Sequence, residues 1–567
     1  MDRPRRDATL VFILAGILLA VHAGLAWHLR APAITTRQDD AMYLLLARGL
    51  PHLSYHQVWN VHSPPESQYP PLYPAVLALL GALSSKLGAA LALNVLCSTL
   101  ALGVLFALAR RWSPVVALLG LAAAAVNPGL LELAGQVASE PLFMLAVVLA
   151  LWFIATPRPA AGPRVGAGAM AIAACLIRTI GITLVAGLLV EWLRQRRMKT
   201  AAAFLLAGVL LVGPWFVWVA VAPRGFPGQS YVADALVRAA NSDTPRRLDS
   251  TGVPMTQHDG QRAARPSGFV GTLAHRVRNN VPAYLTRALP ASLAMPTIPG
   301  TTLDNWLWMA VLIGFGIAGL IELTGKLPLG TLLLGAYFAV LLVWPYTVER
   351  FVFPLLPLIL LTLLLGGRRI GGGRGGERGG AIGWALPVLV ASLLTWNGLR
   401  TDLHSAALMN HCDRSAPFTS PACYPPVSRA FFAAAFRGDQ DAPPGAAFLA
   451  PKAATLFYLT GRRSVEEFEA VRLSADSLQA YLDRNGVQEV LLGRVFLQQR
   501  YLLAPLRAHC AEWELRAEFP EGALLLRRRR AELAGPAERE ATCAALARLN
   551  QGSWEEDSVR APASAPP

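Results

Sequence analysis

Apolar and polar positions segregate along the chain into long blocks rather than alternating. Apolar runs occupy 8–28, 90–109, 114–134, 141–156, 165–177, 180–193, 201–222, 304–322, 327–345, 351–366 and 381–398. Several approach the roughly 17 to 25 residues that a helix needs to cross a hydrocarbon core about 30 Å thick, and all are read as membrane spans. The run 72–86 is shorter and is read as an interfacial or re-entrant helix. Past residue 400 the pattern changes. Ala446–Ala450, Val487–Leu492 and Ala523–Arg527 are short apolar runs of strand character, with helical periodicity between them. The chain therefore reads as an all-α polytopic membrane domain over 1–399, with about 11 transmembrane helices plus the interfacial helix. A small α/β domain over 400–550 and a tail over 551–567, ending APASAPP and expected to be disordered, follow it.

Composition sharpens this. The chain is 54% hydrophobic and 15% charged, where a soluble domain carries about 25% charged residues, and its mean hydropathy is +0.41. The net charge of +15 would suit a nucleic-acid partner, but the basic residues sit in short loops between apolar runs, where membrane orientation accounts for them. No nucleic acid is expected. Arg3, Arg5 and Arg6, then Arg110 and Arg111, then Arg194, Arg196, Arg197 and Lys199, then Lys326, then the arginines of 367–380 all fall on one side if 72–86 does not cross. That side is the cytoplasm, and everything after about residue 400 then lies outside it. The opening MDRPRRD with its long apolar continuation reads as an uncleaved anchor, although Ala31-Pro32-Ala33 offers small residues near a cleavage position.

Six cysteines give an independent clue. Cys97 and Cys175 fall in apolar runs and read as core residues, whereas Cys412, Cys423, Cys510 and Cys543 form an even set in the polar C-terminal region. Such a set suits disulfides in an oxidising compartment, in agreement with the charge argument. The loop Gly371–Gly380 has the spacing of a dinucleotide fingerprint but follows a membrane helix and opens no βαβ unit, so it reads as a flexible cytoplasmic linker. The stretches 29–71, 223–303 and 400–567 are left on the outer side, where aqueous chemistry can occur.

Asp39 and Asp40 open the stretch DDAMYLLLARG on that outer side. Adjacent like charges at a membrane surface are unfavourable and need a reason. On spacing alone, a helix cap for 41–49 and a functional pair serve equally well as that reason. Farther on, Gln68-Tyr69-Pro70-Pro71-Leu72-Tyr73-Pro74 makes a rigid extended turn before the interfacial helix. Glu140 stands at the lip of a membrane helix with Pro141 as its next residue. Arg178 interrupts an apolar stretch, and Glu349-Arg350 mark an outer helix end. A charge at such depth faces a polar cavity and needs a partner, although either arginine could serve purely as a structural ion-pair partner.

Taken in order, Asp39-Asp40 with Tyr43 and Ala47, Pro70-Pro71-Leu72-Tyr73, Glu140-Pro141, Leu176 with Arg178-Thr179, and Arg350-Phe351 with Pro354 resemble the C-type (GT-C) membrane glycosyltransferases. Within them it is similar to the branch that holds aminoarabinose transferases, protein O-mannosyltransferases and lipopolysaccharide glycosyltransferases, and the resemblance covers about residues 8–400. It implies transfer of a sugar from a polyprenyl-phosphate carrier to an extracytoplasmic lipid, glycan or protein acceptor, in the inner (plasma) membrane, with the active site on the periplasmic side. It implies Asp39 as base and Asp40 as its helper, Arg178 and Arg350 as donor-phosphate ligands, and Glu140, Gln68 and Tyr69 as acceptor-orienting residues. Some relatives carry Glu-Lys before the Pro-Pro pair where this chain has Gln68-Tyr69, and an amide is a poorer ligand for a hard cation. No cofactor is therefore fixed, and a divalent metal stays open. Two rival readings remain: a transporter or lipid flippase, against which the absence of an internal repeat counts, and a catalytically silent anchor for the outer domain.

Overall fold

A computed structural model describes residues 3–83, 87–156, 161–222, 268–296, 303–345, 347, 349–372, 381–465, 467–471, 473–529, 535–551 and 554. Most of the 223–303 stretch, the linker 373–380 and nearly all of the tail lie outside the described residues. The chain divides into two compact units. One comprises Met1–Arg30, Tyr69–Val221 and Ser267–Ala407, and the other includes Ala31–Gln68 and Leu408–Pro567. The first outer stretch, read from sequence as a loop of the membrane part, thus groups with the C-terminal region.

The first unit is helical throughout its described elements. Among the described residues, five helices are long and apolar enough to cross a membrane: Thr9–His28, Leu87–Ala109, Met198–Val221, Trp306–Lys326 and Glu349–Gly372. The 114–134 run is a bent pair, Pro114–Ala125 and Pro128–Ala134, with a 64° break. Asn127 makes the break: its side chain accepts from Leu130 N at 3.1 Å, and Pro128 supplies the first residue of the new helix without needing a backbone donor. Glu140–Ile154, Gly162–Ile177 and Pro328–Val343 are apolar but shorter, and Leu72–Ala82 is shorter still. Among the described residues, length and composition thus support five spans, or six with the bent pair, of the about eleven expected. The expected 381–398 run lies within one further helix, Ala381–Met409.

Burial orders these helices. In the most apolar window of Glu349–Gly372, 89% of residues are buried, against 17% in Thr9–His28 and Met198–Val221, so the former is central and the latter two are peripheral. The central helix packs closely on Trp306–Lys326 because both lack side chains at the crossing. A Cβ on Gly319 would lie 1.9 Å from Thr362 O, and one on Gly366 the same distance from Phe315 O. A buried polar tie joins three further helices: His22 reaches Ala125 O at 3.0 Å and Ser98 Oγ at 2.8 Å.

The second unit contains a four-stranded sheet, β1 (Ala447–Leu449), β2 (Val487–Gly493), β3 (Trp513–Phe519) and β4 (Ala523–Arg528), in the order β1-β2-β4-β3. β1 and β2 are parallel, and the other pairs are antiparallel. The two central strands are buried on both faces, which is why they read as continuous apolar runs. Val490, Leu492, Leu524 and Leu526 enter one core, while Leu491, Ala523 and Leu525 enter the other. The expected strands are present. The additional β3, WELRAEF, alternates charged with apolar residues at the sheet edge and so lacked the apolar run. Cys412 pairs with Cys423 and Cys510 with Cys543, while Cys97 and Cys175 are buried free thiols.

Candidate active site

In the first unit, three expected residues meet. Arg178 Nη1 lies 2.9 Å from Glu140 Oε1, and Arg350 Nε donates to the same oxygen at 2.5 Å. Glu140 is 2% exposed, and the arginines are 18% and 19% exposed. One carboxylate thus faces two guanidinium groups at the start of an apolar helix. Glu140 was expected to orient an acceptor, and its Oε1 is engaged by both arginines.

Local structure explains each placement. Glu140 opens Glu140–Ile154, and Ser139 just before it accepts from Arg178 Nη1 at 2.9 Å. Arg178 sits in extended backbone between Ala161–Ile177 and a single turn, Thr179–Gly181. That reversal is tight. Gly181 N donates to Arg178 O at 2.8 Å, and a Cβ on Gly181 would lie 2.5 Å from the Ala174 carbonyl carbon. Arg350 occupies the turn Glu349–Phe351, whose Phe351 O accepts from Tyr337 Oη at 2.8 Å and whose Glu349 O accepts from Ser292 Oγ at 3.3 Å.

Asn94 was missed. Buried in the Leu87–Ala109 helix, it accepts from Tyr73 Oη at 3.0 Å and donates to Ala138 O at 2.9 Å and to Gln136 O. One amide therefore ties the Leu-Tyr-Pro start of the Leu72–Leu83 helix to the segment leading into Ser139 and Glu140. Its signal in the sequence was a lone amide in an otherwise apolar run, LALNVLCS.

In the second unit, Asp39–Gly49 forms a helix beginning at the acidic pair. Gln38 precedes it at φ 77°, a left-handed conformation costing roughly 1–2 kcal/mol for a residue with a side chain, and gives no side-chain cap. The two carboxylates differ. Asp40 is 5% exposed; its Oδ2 accepts from Thr35 N at 2.6 Å and its Oδ1 from Ala41 N at 2.9 Å. Burial pushes the Asp40 carboxyl up to about 6, against the downward pull of those backbone bonds. Asp39 is only partly buried.

The rest of the outer stretch folds over a second buried acid. Glu66, fully buried, accepts from Gln68 N at 2.6 Å, and its own N–H donates to Tyr55 O at 2.9 Å. Burial, with Glu66 nearby, pushes the Tyr55 phenol well above its ordinary value. Gln68 and Tyr69 are partly buried. Among the described residues, no group of three or more His, Cys, Asp or Glu side chains is placed to hold a metal ion.

Neither a protein-family model nor a curated protein matches this sequence. Solved structures do. ArnT from Cupriavidus metallidurans bound to undecaprenyl phosphate is similar at 14% identity and TM-score 0.50, over 93% of this chain and 99% of that one. An Archaeoglobus fulgidus oligosaccharyltransferase tethered to an acceptor peptide is similar at 12% identity and TM-score 0.52, over 92% of this chain and 75% of that one. The archaeal oligosaccharyltransferase AglB, in complex with an inhibitory peptide and a dolichol-phosphate, gives 11% identity and TM-score 0.51 over the same shares, 92% and 75%. Likeness at such identity speaks to fold.

Proposed function

Because the chain has the C-type (GT-C) membrane glycosyltransferase fold, we propose that it is an integral membrane glycosyltransferase that moves a sugar from a polyprenyl-phosphate carrier to an acceptor outside the cytoplasm. The observation that carries this reading is the pair Arg178 and Arg350 on one buried carboxylate. A guanidinium stays charged near lipid and can bind phosphate oxygens through a planar fork. Two of them converge on one buried acid, Glu140, which fixes their orientation toward an anionic carrier.

The chemistry follows from the chain's own groups. An acceptor hydroxyl is a poor nucleophile, and Asp39 takes its proton as the oxygen attacks the anomeric carbon. The bond from that carbon to the phosphate oxygen breaks, and its electron pair leaves on polyprenyl phosphate, whose charge the arginines stabilise. Asp40, held on backbone amides, fixes the start of the helix that carries Asp39. Gln68 and Tyr69 orient the acceptor. The paired cysteines and the one-sided basic loops support an inner (plasma) membrane protein whose C-terminal domain is extracytoplasmic.

The test is release of free polyprenyl phosphate from a panel of lipid-linked monosaccharides, with a membrane extract as acceptor source. Wild-type protein should release it with a particular sugar, and Asp39→Asn should not while still binding the lipid. No sugar-dependent release from any donor, with binding intact, would sink the proposal and favour transport.

A further inference from the structure

The turn just ahead of Asp39 and Asp40 is held by hydroxyl groups from three separate parts of the C-terminal domain. Tyr424 Oη donates to Ile34 O at 2.9 Å and accepts from Ala33 N at 3.2 Å. Ser428 Oγ lies 3.0 Å from Thr36 Oγ1, and Thr455 Oγ1 donates to Thr35 O at 3.2 Å. Asp40 closes the turn from the other end through Thr35 N. All three anchors are buried, at 7%, 3% and 0% exposure.

Tyr424 is itself firmly placed. It directly follows Cys423, which the disulfide ties to Cys412, and its ring stacks on Phe418 at 6.0 Å and meets Phe432 edge-on at 5.0 Å. Ser428 lies in the first turn of Pro426–Asp441, and Thr455 in Ala453–Thr460. Ordinary domain packing would join two surfaces through side chains. Here Tyr424 and Thr455 bond directly to main-chain atoms of the turn, fixing its path whatever its side chains.

Resting on the transferase reading above, we propose that Tyr424, Ser428 and Thr455 are positioning residues for the transfer, and that the disulfide-closed segment 412–424 braces the turn carrying Asp39 and Asp40. The C-terminal domain is then part of the catalytic apparatus rather than a cap. A misplacement of about 1 Å can cost a rate of order 10²-fold, so loss of a single hydroxyl should be visible in turnover.

The experiment uses full-length protein and the lipid-linked monosaccharide that supports release by wild type. Tyr424→Phe should lower kcat roughly 10- to 100-fold with the donor KM unchanged. Thr455→Val should lower kcat too, and Thr455→Ser, which keeps the hydroxyl, should restore it. Amide exchange over residues 31–41 should quicken in Tyr424→Phe. Wild-type kcat in Tyr424→Phe, beside an inactive Asp39→Asn, would overturn the positioning role and leave the transferase reading standing. Unaltered exchange over 31–41 would overturn the brace irrespective of activity. A wild type that releases nothing would instead remove the transferase reading, and the catalytic role of the brace with it.

Discussion

Glu140→Gln isolates the charge balance on which the phosphate reading depends. The substitution keeps the volume and a hydrogen-bond acceptor but removes the carboxylate charge that faces Arg178 at 2.9 Å and Arg350 at 2.5 Å. Opposite charges about 4 Å apart attract by about 4 kcal/mol at an effective dielectric near 20. Two such attractions vanish, offset by recovered desolvation, and breaking a buried pair by removing one partner costs about 3–5 kcal/mol. The arginines are below one-fifth exposed, so solvent screens little of this. At ~2 °C per kcal/mol, the expected fall in unfolding temperature is about 6–10 °C.

Undecaprenyl phosphate should then rescue the variant more than it stabilises wild type. The lipid phosphate supplies the negative oxygens that the variant lacks, and a ligand at 100 times its Kd stabilises by about 2.7 kcal/mol. Thermal unfolding of the purified protein in detergent, with and without the lipid, measures both effects. If Glu140→Gln unfolds at the wild-type temperature and gains no more from the lipid, other groups balance the arginines. The phosphate assignment of Arg178 and Arg350 would then lose its basis.

Three further outcomes are expected. Asn94→Leu deprives Tyr73 Oη, Gln136 O and Ala138 O of their common partner and should cost about 2–4 kcal/mol, with lower turnover, read by thermal unfolding and donor release. Gly181→Ala places a Cβ 2.5 Å from the Ala174 carbonyl carbon and Cys175 N, both backbone, so it should destabilise by about 1–3 kcal/mol and weaken undecaprenyl phosphate binding through Arg178. The Asp40 carboxyl, raised to about 6, binds its proton more tightly in the folded chain than in the unfolded one. Its contribution is therefore fully present below the ordinary carboxylate pKa of about 4 and is lost as pH rises through about 6, a difference of up to about 3 kcal/mol. Unfolding temperatures of wild type and Asp40→Asn, compared across that window, should diverge in favour of the variant as pH rises.

The features legible in the sequence were those set by local pattern. Apolar runs marked where helices form, and β2 and β4 stood out because burial on both faces leaves no alternation to interpret. Glu140, Arg178 and Arg350 were chosen because an isolated charge beside an apolar run needs a partner, and the structure makes them each other's partners. What stayed hidden depends on chain ends meeting across long separations. Nothing near residue 33 announces that Tyr424 will bond to it, because a tyrosine after a cysteine in a polar loop has no pattern of its own. Asn94 carried a signal, a lone amide in an apolar run, but its partners lie 21, 42 and 44 residues away.

The adjacent acids at 39 and 40 can now be separated by what each touches. A pure cap needs one side chain accepting from the first free N–H groups of its helix. Here Gln38 occupies the cap position without using its side chain, and Asp40 spends one oxygen on Ala41 N and the other backward on Thr35 N. Asp40 is thus a clasp between helix and turn, and on the proposed reading Asp39, beside it and more exposed, is the member that meets the acceptor. Tyr424 holds the same turn from the opposite side, so the two residues act on one element and their effects should not add. Asp40→Asn and Tyr424→Phe should each lower kcat, and the double variant should fall short of the product of the two losses. Strict multiplication would mean that the clasp and the brace hold different things, and the turn would no longer explain why the second aspartate is there.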